Sequence, residues 1–189
     1  MTRRGGPNRA GFVLAGGGST RMGRDKALLP AGGETLLDRT AKMVCDAAGS
    51  VTVIGPPARY ASLGYPVVAD KVENCGPLGG VYTALAITEA DWNLIVACDM
   101  PELTADLLET LFRAAESSSA AAIVPESAGG LDPLCAVYHR RCAAPALAAI
   151  RHKIFKMHDF LSTLPMARLR LADPGPLRNV NTPADWTLR

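Results

Sequence analysis

Three consecutive glycines followed by positively charged residues are the part of this sequence best suited to chemistry. Gly16, Gly17 and Gly18 come directly after an apolar stretch, and two arginines and a lysine follow a few positions later. Glycines leave backbone N–H groups free to surround a phosphate closely, and nearby cations can neutralise its charge. Because a strand followed by glycines and then cations is typical of a polyphosphate cradle, we predict that this loop binds the phosphates of a nucleotide. The predicted contacts are made by Leu14, Ala15, Gly16, Gly17, Gly18, Arg21 and Lys26.

Two familiar phosphate-binding motifs do not fit this loop. The P-loop requires a lysine and then serine or threonine after its last glycine, but Arg24 and Asp25 follow Gly23. The dinucleotide-binding motif requires glycine or alanine where Arg21 stands. The remaining alternative is an ordinary flexible loop, which does not account for the charges or for the strand that precedes the loop.

Asp99 is the best single candidate for a metal ligand. It ends the most apolar stretch of the chain, and open α/β sheets place ligand sites at the carboxyl ends of their strands. A carboxylate is a hard oxygen ligand of the kind that Mg²⁺ prefers, with water and substrate phosphates completing the coordination. The alternative is that Asp99 only caps the turn before Pro101.

Short apolar stretches alternate with longer amphipathic ones, and these elements must position the candidate residues. Strands are predicted at residues 12–15, 51–54, 66–69, 93–98, 121–124, 134–138 and 167–171, and helices at 35–48, 81–89, 104–115, 141–150 and from 182 onward. This alternation predicts a single α/β domain of three layers with a mainly parallel, Rossmann-like sheet. The strand at 93–98 is expected at its centre and the strand at 167–171 at an edge. Residues 1–10 are predicted to be a flexible arm, and residues 11–189 the domain.

Composition excludes several classes of function. The chain has 189 residues, 20 basic against 18 acidic, and 5% aromatic residues, so it lacks the charge and stacking surfaces of a general nucleic-acid binder. No run approaches the roughly 18 apolar residues of a membrane span. Five cysteines without a CxxC pair are typical of free, mostly buried thiols in a reducing compartment, so we expect a cytoplasmic protein that binds neither nucleic acid nor membrane.

Residues 14–26, LAGGGSTRMGRDK, resemble the LAGG…RMG.DK signature of the molybdenum cofactor guanylyltransferases, a branch of the sugar-nucleotide-type nucleotidyltransferases. Related cytidylyltransferases usually read LAAG, so Gly16 and Gly17 favour the guanylyl branch. Further similarities to the family follow in the expected order along nearly the whole chain after Gly11. They are GPLGG at 76–80, ACDMP at 97–101, DPLCAVY at 132–138 and NVNTP at 179–183.

The resemblance implies a GT-A-like nucleotidyltransferase fold and the transfer of GMP from GTP to molybdopterin phosphate, with Mg²⁺ as cofactor. It implies catalytic roles for Lys26, Arg21 and Asp99, with Asp99 holding the metal. Asp70 and Gly79 would contact the nucleotide, and Asn179 and Asn181 the acceptor. Molybdoenzymes or their chaperones would be the protein partners.

One departure from the family pattern leaves the choice of base open. The family often has an asparagine at the end of the second strand, where this chain has Ile54 and Gly55. CTP or another phosphorylated acceptor therefore remains an alternative, as does a non-catalytic module that binds and carries the cofactor. Asp70 could instead cap the following turn, and the basic stretch with Arg151, Lys153 and Lys156 could meet a phosphate or simply face solvent. The histidines at 139, 152 and 158 show no metal-binding spacing and are interpreted as surface or packing residues.

Overall fold

The computed structural model describes residues 8–16, 25–31 and 33–179. Gly17, Gly18, Arg21, Asn181 and the helix predicted from 182 lie outside the described residues. The strands are β1 Arg9–Leu14, β2 Pro30–Ala31, β3 Glu34–Thr35, β4 Thr52–Ile54, β5 Val67–Val68, β6 Trp92–Ala97, β7 Ala122–Ser127, β8 Gly130–Leu131, β9 Cys135–His139 and β10 Met166–Arg170. The helices are α1 Leu36–Ala48, α2 Pro57–Tyr60, α3 Pro77–Ile87, α4 Ala105–Glu116, α5 Ala143–Arg151 and α6 Met157–Leu161.

One mixed sheet organises the domain in the order β10-β7-β9-β6-β1-β4-β5, with β8 paired to β7. Strands β6, β1, β4 and β5 run parallel, as do β7 and β10. Strand β9 is antiparallel to both of its neighbours. The mainly parallel sheet is therefore confirmed, with β6 at its centre because its run Leu94–Val96 is buried on both faces. Strand β10 lies at an edge, as its alternating arginines predicted.

Helices cover both faces of the sheet and make the predicted three layers. Helices α1 and α4 pack on one face around Val13, Leu94 and Val96. Helices α3, α5 and α6 pack on the other face around Phe12 and Ile95. Successive strand residues point to opposite faces, so each strand contributes to both cores.

None of the helices in the described ranges has both the length and the apolar character that crossing a lipid bilayer requires. All five cysteines are free, and four of them are buried, as predicted.

Local signals in the sequence account for the ends of α1 and α4. The Thr35 hydroxyl accepts the N–H of Asp38 while the Asp38 carboxylate accepts the N–H of Thr35, and Gly49 ends α1 in the left-handed region at φ 77°. At the start of α4 the Thr104 hydroxyl accepts the N–H of Leu107. Helix α3, however, begins at Pro77 rather than at 81, so the prediction of its start was wrong. The sequence patterns also missed α2, α6 and the β2–β3 hairpin.

The first described strand begins two residues inside the predicted arm of 1–10. Arg9 pairs in register with Trp92 of β6, and its guanidinium lies 2.9 Å from Glu109 and 4.4 Å from the ring centroid of Phe112. A second carboxylate, from Glu116, also accepts a hydrogen bond from Arg9. These contacts join the start of β1 to α4 and make residues 9 and 10 part of the folded domain.

Substituting Arg9 with alanine is expected to lower the free energy of unfolding by about 1–2 kcal/mol, because partly buried charge-assisted hydrogen bonds and a cation–π contact are lost together. For a domain of this size, the Tm should fall by about 2–8 °C. Arg113→Ala is the matched control, since Arg113 lies on α4, the helix that Arg9 contacts, but is exposed and forms only a long ion pair of 4.0 Å with Asp106. Equal Tm values for the two variants would contradict a role of Arg9 in stability.

Candidate nucleotide and metal site

The candidate site lies where the connections of the sheet reverse direction. From β1 the chain continues to β4 on one side, and only later returns to place β6 on the other side. Leu14, at the end of β1, pairs with Ile54 and with Ala97, the last residues of those two strands. The backbone N–H of Cys98 then donates to the Leu14 carbonyl at 3.3 Å. The loop after β1 and the segment with Asp99 therefore leave the sheet side by side, at the position where open α/β sheets bind ligands.

Gly16 begins the loop in a conformation that favours glycine. Its φ is +99°, and a Cβ atom there would lie 2.8 Å from Cδ of Pro56. A side chain would therefore be strained by the backbone and would collide with the loop after β4. Ala15 is buried just before it, and its N–H donates to the Ile54 carbonyl at 2.8 Å. The glycine at the mouth of the predicted phosphate loop is thus required by the local geometry.

Lys26 and Asp99 are brought together by the tertiary structure. The chain returns from the glycine loop into a short 3-10 turn, Lys26–Leu28, which Asp25 caps. The pKa of Asp99 is raised because burial disfavours its charged form, and the positive charge of Lys26 opposes part of that effect. A predicted phosphate-binding cation therefore lies near enough to the predicted metal ligand to influence its charge, although 73 residues separate them in the chain (99 − 26).

Asp132 is a second carboxylate close to Asp99, and the sequence analysis gave it no role. Burial raises the pKa of Asp132, and the negative charge of Asp99 raises it further, while the charge of His158 opposes the shift. Asp132 reaches this edge because β9 is antiparallel to β6 and begins where β6 ends, with the Ala97 N–H donating to the Leu134 carbonyl at 2.7 Å. Its position just before a strand that starts at this edge was the signal that could have identified it.

The donor set suits a divalent cation that keeps water in its coordination shell. In the described part of the chain, no three histidine, cysteine or acidic side chains come close enough to hold a metal by themselves. Closed zinc and calcium sites need at least four protein ligands, whereas Mg²⁺ is commonly held by one or two carboxylates plus substrate phosphates. Asp99 is largely buried and its negative charge raises the pKa of Asp132, so a bound cation would offset unfavourable charge at both carboxylates. The residues present therefore fit Mg²⁺.

Asp70 and Gly79 lie together at the first turn of α3. Asp70 is exposed, but partial desolvation and then the charge of Glu73 raise the pKa of its carboxyl, and its Oδ1 lies 4.0 Å from the position of a Cβ on Gly79. Gly79 itself is buried, and a Cβ there would lie 2.9 Å from the Val72 carbonyl oxygen. The glycine therefore permits close packing, which is also why α3 tolerates it in its first turn.

The predicted acceptor residues are only partly described. Asn179 is exposed two residues after the buried Leu177, while Asn181 lies outside the described residues. The basic side chains of Arg151, Lys153 and Lys156 are exposed around the turn between α5 and α6.

Next to Asp132 lies a groove of about 390 Å³ between β8, α6 and β10. It is lined by Leu131, His158, Leu161, Ser162, Leu164, Met166 and Arg168.

Known proteins resemble this chain in sequence and in structure. A protein named probable molybdenum cofactor guanylyltransferase from Trichormus variabilis is 36% identical over 183 residues, covering 94% of this chain and 88% of that protein. The crystal structure of molybdopterin-guanine dinucleotide biosynthesis protein A from Archaeoglobus fulgidus has a TM-score of 0.80 at 22% identity, with 95% of each chain covered. Rv0371c from Mycobacterium tuberculosis, solved in complex with manganese, has a TM-score of 0.69 at 22% identity, with 95% of this chain and 96% of that chain covered.

A family model described as the MobA-like NTP transferase domain matches residues 11–167. The matched region runs from β1 into β10 and therefore contains the glycine loop, Lys26, Asp70, Asp99 and Asp132. The GT-A-like nucleotidyltransferase fold is shared with the structural neighbours. This chain belongs to the MobA-like NTP transferase family, and it is a nucleotidyltransferase.

Proposed function

We propose that the protein transfers GMP from GTP to the phosphate of molybdopterin, giving the guanine dinucleotide form of the cofactor and pyrophosphate. This proposal is supported by two observations: the start of the predicted phosphate loop and the segment with Asp99 leave β1 and β6 side by side, and the positive charge of Lys26 acts on Asp99. The names of the relative from Trichormus variabilis and of the structural neighbour from Archaeoglobus fulgidus support the choice of guanine and of molybdopterin.

The chemistry requires alignment and charge neutralisation rather than a strong base. A phosphate oxygen of the acceptor attacks the α-phosphorus of GTP, a new phosphoanhydride bond forms, and the bond to the β-phosphate breaks. That oxygen is already anionic near neutral pH, so no side chain has to remove a proton from it. The task of Lys26 and Arg21 is to hold the triphosphate and to stabilise the charge that grows on the leaving pyrophosphate.

Asp99 is the residue that would hold Mg²⁺. Asp132 lies near enough to Asp99 for the two carboxylates to interact electrostatically. The bound cation would supply neutralisation of the phosphate oxygens, which Asp99 alone would repel. The complex of Rv0371c with manganese supports a divalent cation in this fold. Asp70, whose carboxylate lies near the first turn of α3, would contact the nucleotide.

The acceptor is proposed to bind near Asn179 and Asn181, since amide side chains can donate to and accept from the edge of a pterin. Molybdoenzymes or their chaperones would then receive the product. The buried, free thiols support a reducing compartment, and we place the reaction in the cytoplasm.

GTP is expected to bind more tightly than CTP or ATP and to release pyrophosphate fastest in the presence of molybdopterin. The buried Ile54 side chain cannot hydrogen-bond to a base, so selection would fall to backbone groups around the loop. Equilibrium titration and pyrophosphate release with each of the four common nucleoside triphosphates measure this preference. Faster release with CTP would favour the alternative nucleotide, and binding without release would favour a non-catalytic carrier.

A further inference from the structure

Tyr60 is a buried residue that touches the candidate site without having been assigned any part in it. It ends α2, and its side chain is 0% exposed. Its hydroxyl donates a hydrogen bond to Oδ2 of Asp25 at 2.7 Å, across 35 positions of the chain. A phenylalanine would fill the same space equally well, so packing alone does not explain the hydroxyl.

Asp25 connects this hydroxyl to the turn that carries Lys26. The other carboxylate oxygen of Asp25 accepts the N–H of Ala27 at 3.1 Å, and the Asp25 carbonyl accepts the N–H of Leu28 at 3.1 Å. Arg59 adds a more distant ion pair, 3.7 Å from Oδ2. One carboxylate therefore ties the Lys26–Leu28 turn to α2, and the orientation of Lys26 depends on it.

Tyr60 also lies beneath the other end of the glycine loop. Its hydroxyl is 3.7 Å from the position of a Cβ on Gly16, and its ring carbon Cε2 is 3.0 Å from that position on Gly55. Gly16 is where the chain leaves β1, and Asp25 is where the chain returns. A single side chain thus hydrogen-bonds to one end of the predicted phosphate loop and lies close to the other.

We propose that Tyr60 is a positioning residue of the triphosphate site, which acts through Asp25 to set the direction of Lys26. This inference rests on the proposed function, because it assumes that Lys26 contacts the triphosphate. The hydroxyl stays protonated at neutral pH and can donate, since burial and then the hydrogen bond to Asp25 raise the pKa of Tyr60 far above neutral pH.

The test is Tyr60→Phe, which removes the hydroxyl and keeps the ring. The affinity for GTP and kcat/KM for GTP should each fall about tenfold, the usual size of one lost hydrogen bond to a charged group. KM for molybdopterin should not change. In a Lys26→Ala background, adding Tyr60→Phe should weaken GTP binding by less than about twofold, since residues that act through one another are not additive. Asp25→Asn should also weaken GTP binding and be non-additive with Tyr60→Phe.

Tyr138→Phe is the matched control for this experiment. Tyr138 is equally buried, and its hydroxyl donates one hydrogen bond, to the Pro133 carbonyl at 2.8 Å. Both variants should lower the Tm by similar amounts, but only Tyr60→Phe should weaken GTP binding. Unchanged GTP affinity in Tyr60→Phe would overturn the inference. So would a full tenfold loss of GTP affinity when Tyr60→Phe is added to Lys26→Ala. A wild type that binds another triphosphate instead would overturn the choice of GTP, and the same comparison with that nucleotide would still decide the role of Tyr60.

Discussion

Replacing Lys26 with alanine should lower turnover about a hundredfold while the domain stays folded. Lys26 would place a compact positive charge on the triphosphate, opposite the carboxylate of Asp99. Removing one fixed contact to an anion that develops in the transition state typically costs about 3 kcal/mol, which corresponds to roughly a hundredfold in rate. Pyrophosphate release at saturating GTP and molybdopterin measures this effect directly.

Lys42→Ala provides the control for the loss of a lysine. Lys42 is exposed on α1 and forms an ion pair with Glu34, away from the glycine loop. It should retain normal turnover. If the Lys26→Ala protein melts at the normal temperature and turns over at nearly the normal rate, Lys26 has no catalytic role and the triphosphate must be held elsewhere.

Asp99→Asn should remove most of the metal-dependent activity, by about a hundredfold or more at limiting Mg²⁺. The amide keeps the shape of the carboxylate but loses the negative charge that attracts a hard cation. If Asp99 only capped the turn before Pro101, asparagine would serve almost as well, because both residues are good caps. Turnover measured against Mg²⁺ concentration separates the two roles, and unchanged activity at low Mg²⁺ would move the ligand role to Asp70 or Asp132.

The same substitution should stabilise the cation-free protein at neutral pH. Burial raises the folded-state pKa of Asp99 above its ordinary value of 3.8, so the folded protein holds this proton more tightly than the unfolded chain does. The contribution of Asp99 to the free energy of unfolding therefore falls as pH rises from its unfolded-state pKa to its folded-state pKa. Above the folded-state pKa this contribution stays unfavourable. Asp99→Asn should raise the Tm at pH 7 without Mg²⁺, and the gain should vanish below the ordinary pKa.

Asp46→Asn is the control for this effect of charge on stability, because Asp46 is exposed on α1. Its Tm should be nearly that of the wild type at both pH values. Mg²⁺ should raise the Tm of the wild type and of Asp46→Asn, but not that of Asp99→Asn. A lower Tm for Asp99→Asn at neutral pH without cation would show that Lys26 stabilises the charged carboxylate more than burial disfavours it.

Short-range patterns in the sequence were sufficient to predict the three-layer α/β architecture. They also identified the candidate residues of the site. The caps at Thr35 and Thr104 act within three residues, and the apolar run of β6 identifies a strand buried on both faces. The glycine loop and Asp99 were singled out because they follow predicted strands directly, and Lys26 because it follows the glycines, and their roles at the site stay predictions. These signals depend on backbone geometry and on burial, which neighbouring residues in the chain largely determine.

Longer-range packing decided the remaining features. Gly79 and Gly80 precede the helix predicted at 81–89, yet α3 includes them, and a Cβ at Gly80 would lie 3.0 Å from a side-chain carbon of Leu14. Asp132 joined the site only because β9 runs antiparallel to β6, and the bond from Tyr60 to Asp25 spans 35 positions. Contacts between residues far apart in the chain form only when the sheet and its helices pack together. A local pattern of residues therefore does not predict them.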